Sequence, residues 1–162
     1  MRARGMWTAA VAVSALGLTA CASAPPTLGF AKGTIDPTTV VAKVEEFQIV
    51  VDGSLSMADR SRRQPKIEVA RELAAAMAAT APAVRYRGGL RTFGQGPCLE
   101  DASTSLAYGM DRYLPEQAAA AAGRILCSGG ASPLDAALDA AARDFSADTR
   151  RAAVIILSDG LH

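Results

Sequence analysis

The 162 residues suit one domain behind a short leader, since single domains commonly hold roughly 100 to 150 residues. Hydrophobic residues make up 50% and charged residues 20%, which supplies a packed core and leaves too little charge for a disordered chain. Lys+Arg 17 against Asp+Glu 16 gives a formal charge of +1, and aromatics are only 5%; with no basic stripe interleaved with Tyr or Phe, nucleic-acid binding is excluded from the expected functions.

The first residues read as targeting rather than as fold. Arg2 and Arg4 open the chain, and Met6 to Ala20 is apolar except for Thr8, Ser14 and Thr19, a run shorter than the roughly 20 residues a membrane-spanning helix needs. Residues 1–20 are therefore expected to be a secretory signal. At its end Leu18-Thr19-Ala20-Cys21 resembles the bacterial lipobox, which implies cleavage before Cys21 and acylation of that cysteine. More than one acyl chain makes such an anchor stable, at about 0.8 kcal/mol for each buried methylene. Ala22 after the cysteine points, by resemblance to the usual sorting rule, to the outer membrane, facing the periplasm or the surface. The alternative is an ordinary signal peptide with Cys21 incidental.

Residues 21–44 are expected to form a lipid-anchored linker, because Pro25, Pro26, Gly29, Gly33 and Pro37 with small residues between them do not build a packed element. Residues 45–162 then carry the domain. Phe47-Gln48-Ile49-Val50-Val51 predicts a strand buried on both faces of a parallel sheet, ending at Asp52. Ile67, Ala70, Leu73, Ala74 and Met77 recur at helical spacing within 65–80. Val84 to Phe93 predicts a second strand, with a bulge where Gly88 and Gly89 break it, followed by a loop from Gly94 to Asp101. Ser103 to Met110 predicts an edge strand, Leu114 to Leu126 a helix with Pro115 in its first turn, and Pro133 to Phe145 another helix. Ala152 to Leu157 is a strongly apolar strand closed by Ser158-Asp159-Gly160. Strands alternating with helices predict an α/β fold: an open, mostly parallel, doubly wound sheet with helices on both faces. Cys98 and Cys127, in an oxidising compartment, suggest a disulfide; two free buried thiols are the alternative.

Open α/β sheets place their ligands outside the carboxyl ends of the strands. Three polar segments fall at such boundaries: Asp52-Gly53-Ser54-Leu55-Ser56, Gly130-Ala131-Ser132-Pro133 and Ser158-Asp159-Gly160. Carboxylate and hydroxyl oxygens without His or Cys suit a hard divalent cation, Mg²⁺, Mn²⁺ or Ca²⁺. In this order and context the sequence resembles the von Willebrand factor type A family, whose adhesion site uses Asp-x-Ser-x-Ser, a later Thr and a later Asp. The resemblance implies that Ser54 and Ser56 ligate the ion directly, that Ser132 stands where the family has Thr, and that Asp52 and Asp159 act through water or by orienting ligands. It implies metal-bridged binding of a protein partner that supplies a carboxylate. Leu55 departs from the common Gly, and Ser132 lacks the methyl of Thr. The family normally continues for two more strands beyond the last Asp, so the domain is expected to be incomplete at His162, with strand 152–157 left as an edge.

Each segment also has a plainer reading. Asp-x-Ser-x-Ser alone can be an Asx turn, Ser132 a helix N-cap with Asp135 three residues on, and Asp159-Gly160 a routine turn. Function is expected to be binding rather than catalysis. The alternatives are a Mg²⁺-dependent phosphohydrolase with Asp52 as nucleophile and a structural envelope lipoprotein with a scaffold-only domain. A Ser-His-Asp set is not expected, because the sole histidine, His162, is terminal.

Overall fold

Seven consecutive buried residues, Glu46–Asp52, form strand β1 at the centre of a four-stranded sheet. The computed structural model describes residue 36 and residues 38–82, 86–94, 104–127 and 129–161; the expected signal peptide and Cys21 lie outside them, as do Cys98 and His162. After β1 come a single 3₁₀ turn, Leu55–Ala58, and a short hairpin pairing Arg60–Ser61 with Gln64–Pro65. Then follow helix α1 (Lys66–Thr80), strands β2 (Arg87–Phe93) and β3 (Thr104–Arg112), helices α2 (Pro115–Ala122) and α3 (Leu134–Asp144), and strand β4 (Ala152–Leu157). Sheet order is β3-β2-β1-β4, with β1 parallel to both neighbours and β3 antiparallel at one edge. The predicted open, mostly parallel sheet is therefore present, and β4 forms the other edge among the described residues. No helix among the described residues is long and apolar enough to cross a membrane.

Strand pleating divides the core into two layers. Phe47, Ile49, Val51 and Leu90 face α1 and α2, whose buried positions are Ile67 and a series of alanines, so the helices pack close to the sheet. Gly88 lies in this layer; a Cβ there would come within 2.7 Å of both the Tyr113 and Phe47 rings. The missing side chain makes room for an aromatic cluster in which Phe47 and Tyr113 have centroids 4.8 Å apart. The bulge expected at Gly88 and Gly89 appears as register shifts between Gly88 and Arg91 against β3. α2 ends at Ala122, short of the predicted Leu126. There the chain tightens, with Arg124 and Ile125 donating to carbonyls three residues back, and this tuck buries Ile125.

On the opposite face Val50 and Phe93 pack under Ala137 and Ala141 of α3. Two polar groups lie beneath the same helix. Arg91 and Gln48 both donate to Asp144 Oδ2, Arg91 through Nη2 at 2.6 Å and Nε at 2.9 Å, Gln48 at 2.8 Å. Asp144 thus pins the end of α3 to β1 and β2, and removing it leaves a buried guanidinium without its counter-charge. The Asp144→Ala variant should lose about 3 kcal/mol of unfolding free energy in urea, whereas Asp139→Ala on the exposed side of α3 should change it by less than about 0.5 kcal/mol.

Candidate metal centre

β1, flanked by two parallel strands, brings the ends of β1, β2 and β4 to one rim of the sheet. Asp52 closes β1 there with no accessible surface. A buried carboxylate requires donors, and three arrive from separate segments. Ser54 N–H donates to Oδ1 at 2.8 Å, the Ser158 hydroxyl to Oδ2 at 2.9 Å, and the Ser132 hydroxyl to Oδ2 at a long 3.4 Å. Asp52 therefore joins the first loop, the approach to α3 and the end of β4.

Ser132 decides between two readings of its segment. The residue at the cap position of α3 is Pro133, which makes no side-chain cap hydrogen bond. The Ser132 hydroxyl turns to Asp52 instead, while its carbonyl accepts from Leu134 N–H at 2.9 Å. Pro133, not Ser132, fills the cap position.

A second chain of oxygens runs outward from Asp52. Ser54 Oγ lies 3.4 Å from Ser56 Oγ, and Ser56 Oγ donates to Asp159 Oδ1 at 3.2 Å across 103 positions of sequence. Asp159 also accepts from Leu161 N–H at 3.1 Å and from Lys66 Nζ at 2.7 Å. Burial opposes ionisation of Asp159, but the hydrogen bonds from Lys66, Leu161 and Ser56 outweigh it and hold the carboxyl below the usual carboxylate range. Its hydrogen bond to Asp159 in turn raises the Lys66 ammonium above its ordinary value. All five residues expected at the site, Asp52, Ser54, Ser56, Ser132 and Asp159, thus belong to one hydrogen-bonded assembly, with Ser132 entering through Asp52.

In an octahedral shell with metal–oxygen distances of about 2.1 Å, neighbouring donor oxygens stand about 3 Å apart. Spacings of 3.4 and 3.2 Å along Ser54, Ser56 and Asp159 are compatible with such a shell. Among the described residues no three His, Cys, Asp or Glu side chains gather as a metal cluster, so a cation here would depend on hydroxyl donors. The donor set is all oxygen and fits a hard ion.

A family model described as von Willebrand factor type A domain matches residues 47–162. The chain belongs to the von Willebrand factor type A family. No curated protein matches it. Domains of this family are often protein-interaction modules and commonly bind divalent cations, and the mostly parallel sheet with helices is the family's α/β fold.

Three residues of this von Willebrand factor type A rim were not expected. Ser158 is placed by strand register: Val51 pairs with Leu157, so the next residues, Asp52 and Ser158, fall side by side. Lys66 reads from the sequence as one more polar helix residue, and only the fold turns it to Asp159. Gly94 sits at φ +74 where the loops meet, and a Cβ there would lie 2.7 Å from Ser54 N and 2.8 Å from Ala131 O. Around it Gly53 N–H donates to Phe93 O at 2.8 Å, Gly130 N–H to Gly94 O and Leu55 N–H to Gly130 O, each at 3.1 Å. Cys127 is a free thiol in the structure and donates to Ser54 O at 2.9 Å.

Both the positive φ and the backbone crowding forbid a side chain at Gly94. Gly94→Ala should cost about 2 kcal/mol or more in chemical denaturation. Gly109→Ala, where a Cβ would meet nothing within 4 Å, should cost under about 1 kcal/mol.

Proposed function

We propose that this von Willebrand factor type A domain is a metal-ion-dependent binding module of the bacterial cell envelope, tethered by lipid at Cys21 and recognising a protein partner through a divalent cation. The contiguity of Ser54, Ser56 and Asp159 oxygens, drawn from two loops far apart in sequence, is the observation that carries this reading. Ser54 and Ser56 would hold the ion, with Ser132 as a further hydroxyl. Asp52 orients them from below: its fixed carboxylate receives Ser54 N–H and the Ser132 hydroxyl, so the donor oxygens have little freedom to rotate away. Asp159 holds Ser56 and keeps its second oxygen on Lys66, which balances its charge. A divalent cation there would supply a Lewis-acidic position open to a partner carboxylate.

The lipid anchor and the envelope location, outer membrane facing the periplasm or the surface, rest on the charged start, the apolar run and Leu18-Thr19-Ala20-Cys21. Catalysis is not part of the proposal. A phosphohydrolase would need Asp52 to attack a phosphoryl group, and its carboxylate is fully buried with both oxygens engaged.

Calorimetric titration with Mg²⁺ and with Mn²⁺ tests the site. The wild type should bind, and Ser54→Ala should weaken binding about tenfold or more; equal heats for the two proteins would leave the segment as no more than a turn.

A further inference from the structure

Three arginines belong to the hairpin that follows the first site loop, two of them at its tip. Ser61 pairs with Gln64, which leaves Arg62 and Arg63 as the connecting residues, and Arg60 pairs with Pro65 beside them. Arg62 adopts φ 61, a left-handed conformation that hairpin tips ordinarily assign to Gly or Asn. All three side chains are exposed, and among the described residues none is paired with a carboxylate; Arg60 Nη1 donates only to Arg63 O, at 3.3 Å. Across residues 59–66 four cations face one carboxylate, in a chain whose overall formal charge is +1. The charge is therefore concentrated here.

Its position ties it to the rim. Asp59 N–H donates to Ser56 O at 3.2 Å, Lys66 N–H returns to Asp59 O at 2.9 Å, and the Lys66 ammonium reaches Asp159. Ser61 of the hairpin and Asp159 of the site line the same shallow cavity of about 340 Å³. The hairpin that carries the arginines therefore adjoins the wall of the cavity that Asp159 lines.

We infer that the Arg60–Arg63 hairpin is a second contact surface for the partner, and that the segment it receives is an acidic stretch of polypeptide carrying carboxylates beyond the one at the metal. For that one carboxylate the inference rests on the metal-dependent binding proposed above. Guanidinium groups take carboxylates through paired N–H donors, and exposed positive charge beside a binding site speeds encounter with a negative ligand. A short segment fits better than an extended polyanion: the cationic patch is confined to Arg60 and the two connecting residues Arg62 and Arg63, with exposed Asp59 adjoining it, which matches a few carboxylates rather than a duplex or an anionic bilayer.

The test uses a dye-labelled glutamate hexapeptide as probe, with fluorescence anisotropy read in Mg²⁺ and in EDTA at low and moderate salt. Replacing Arg60, Arg62 and Arg63 together by Ala should weaken peptide binding about tenfold and flatten its salt dependence, with the melting temperature unchanged because the side chains are exposed. Ser54→Ala should lose only the Mg²⁺-dependent increment. Peptide binding that depends on the arginines but ignores Mg²⁺ supports the hairpin surface and removes the metal reading. Equal peptide affinity in wild type and the triple variant overturns the inference. So does tighter, arginine-dependent binding of duplex DNA or phosphatidylglycerol vesicles than of the peptide.

Discussion

A buried carboxylate with no access to water must be satisfied by the protein, and in this domain that requirement falls on Asp52. Its position is set by the sheet: β1 has a parallel neighbour on each side, so its carboxyl end is surrounded by the ends of β2 and β4 and by the approach to α3. Donors from the loop after β1, the approach to α3 and the end of β4 converge on the two oxygens of Asp52, and the loops that bear them are thereby fixed to one another. Gly94 keeps the gap between them narrow, and the bonds linking Gly53, Gly130 and Leu55 to neighbouring carbonyls complete the frame.

The oxygens of Ser54, Ser56 and Asp159 are held by that frame rather than by their own loops. Leu55 between the two serines is 61% exposed, so the loop turns its hydroxyls inward and its apolar side chain to solvent. The result is a recessed polar centre beside an exposed leucine. Rigidity on the far side of the sheet comes from Asp144, which clamps α3 to the same strands that end at the site.

The fold was largely legible because its signals are local. The apolar run of β1, the helical spacing of α1 and the glycine interruption at Gly88 each reflect a periodicity or a missing side chain that no distant contact overrides. The end of α2 was not, since alanines favour helix through Leu126 while the burial of Ile125 tightens the chain earlier. At the site, Asp52, Ser54 and Ser56 stand out by their spacing directly after a buried strand. Ser132 was ambiguous, because a serine before a helix is an N-cap by local rules and only the long-range bond to Asp52 distinguishes the two. Ser158, Lys66 and Gly94 matter through strand register and loop contacts more than 25 positions away, which composition does not encode.

The most direct test of the account is anomalous diffraction from Mn²⁺-soaked crystals of the full chain. A peak within about 2.3 Å of both Ser54 Oγ and Ser56 Oγ, with Asp52 still buried beneath it, is the predicted result. Mn²⁺ bound elsewhere, or no peak at that rim at millimolar concentrations, would contradict the claim that these loops are held together to grip a cation.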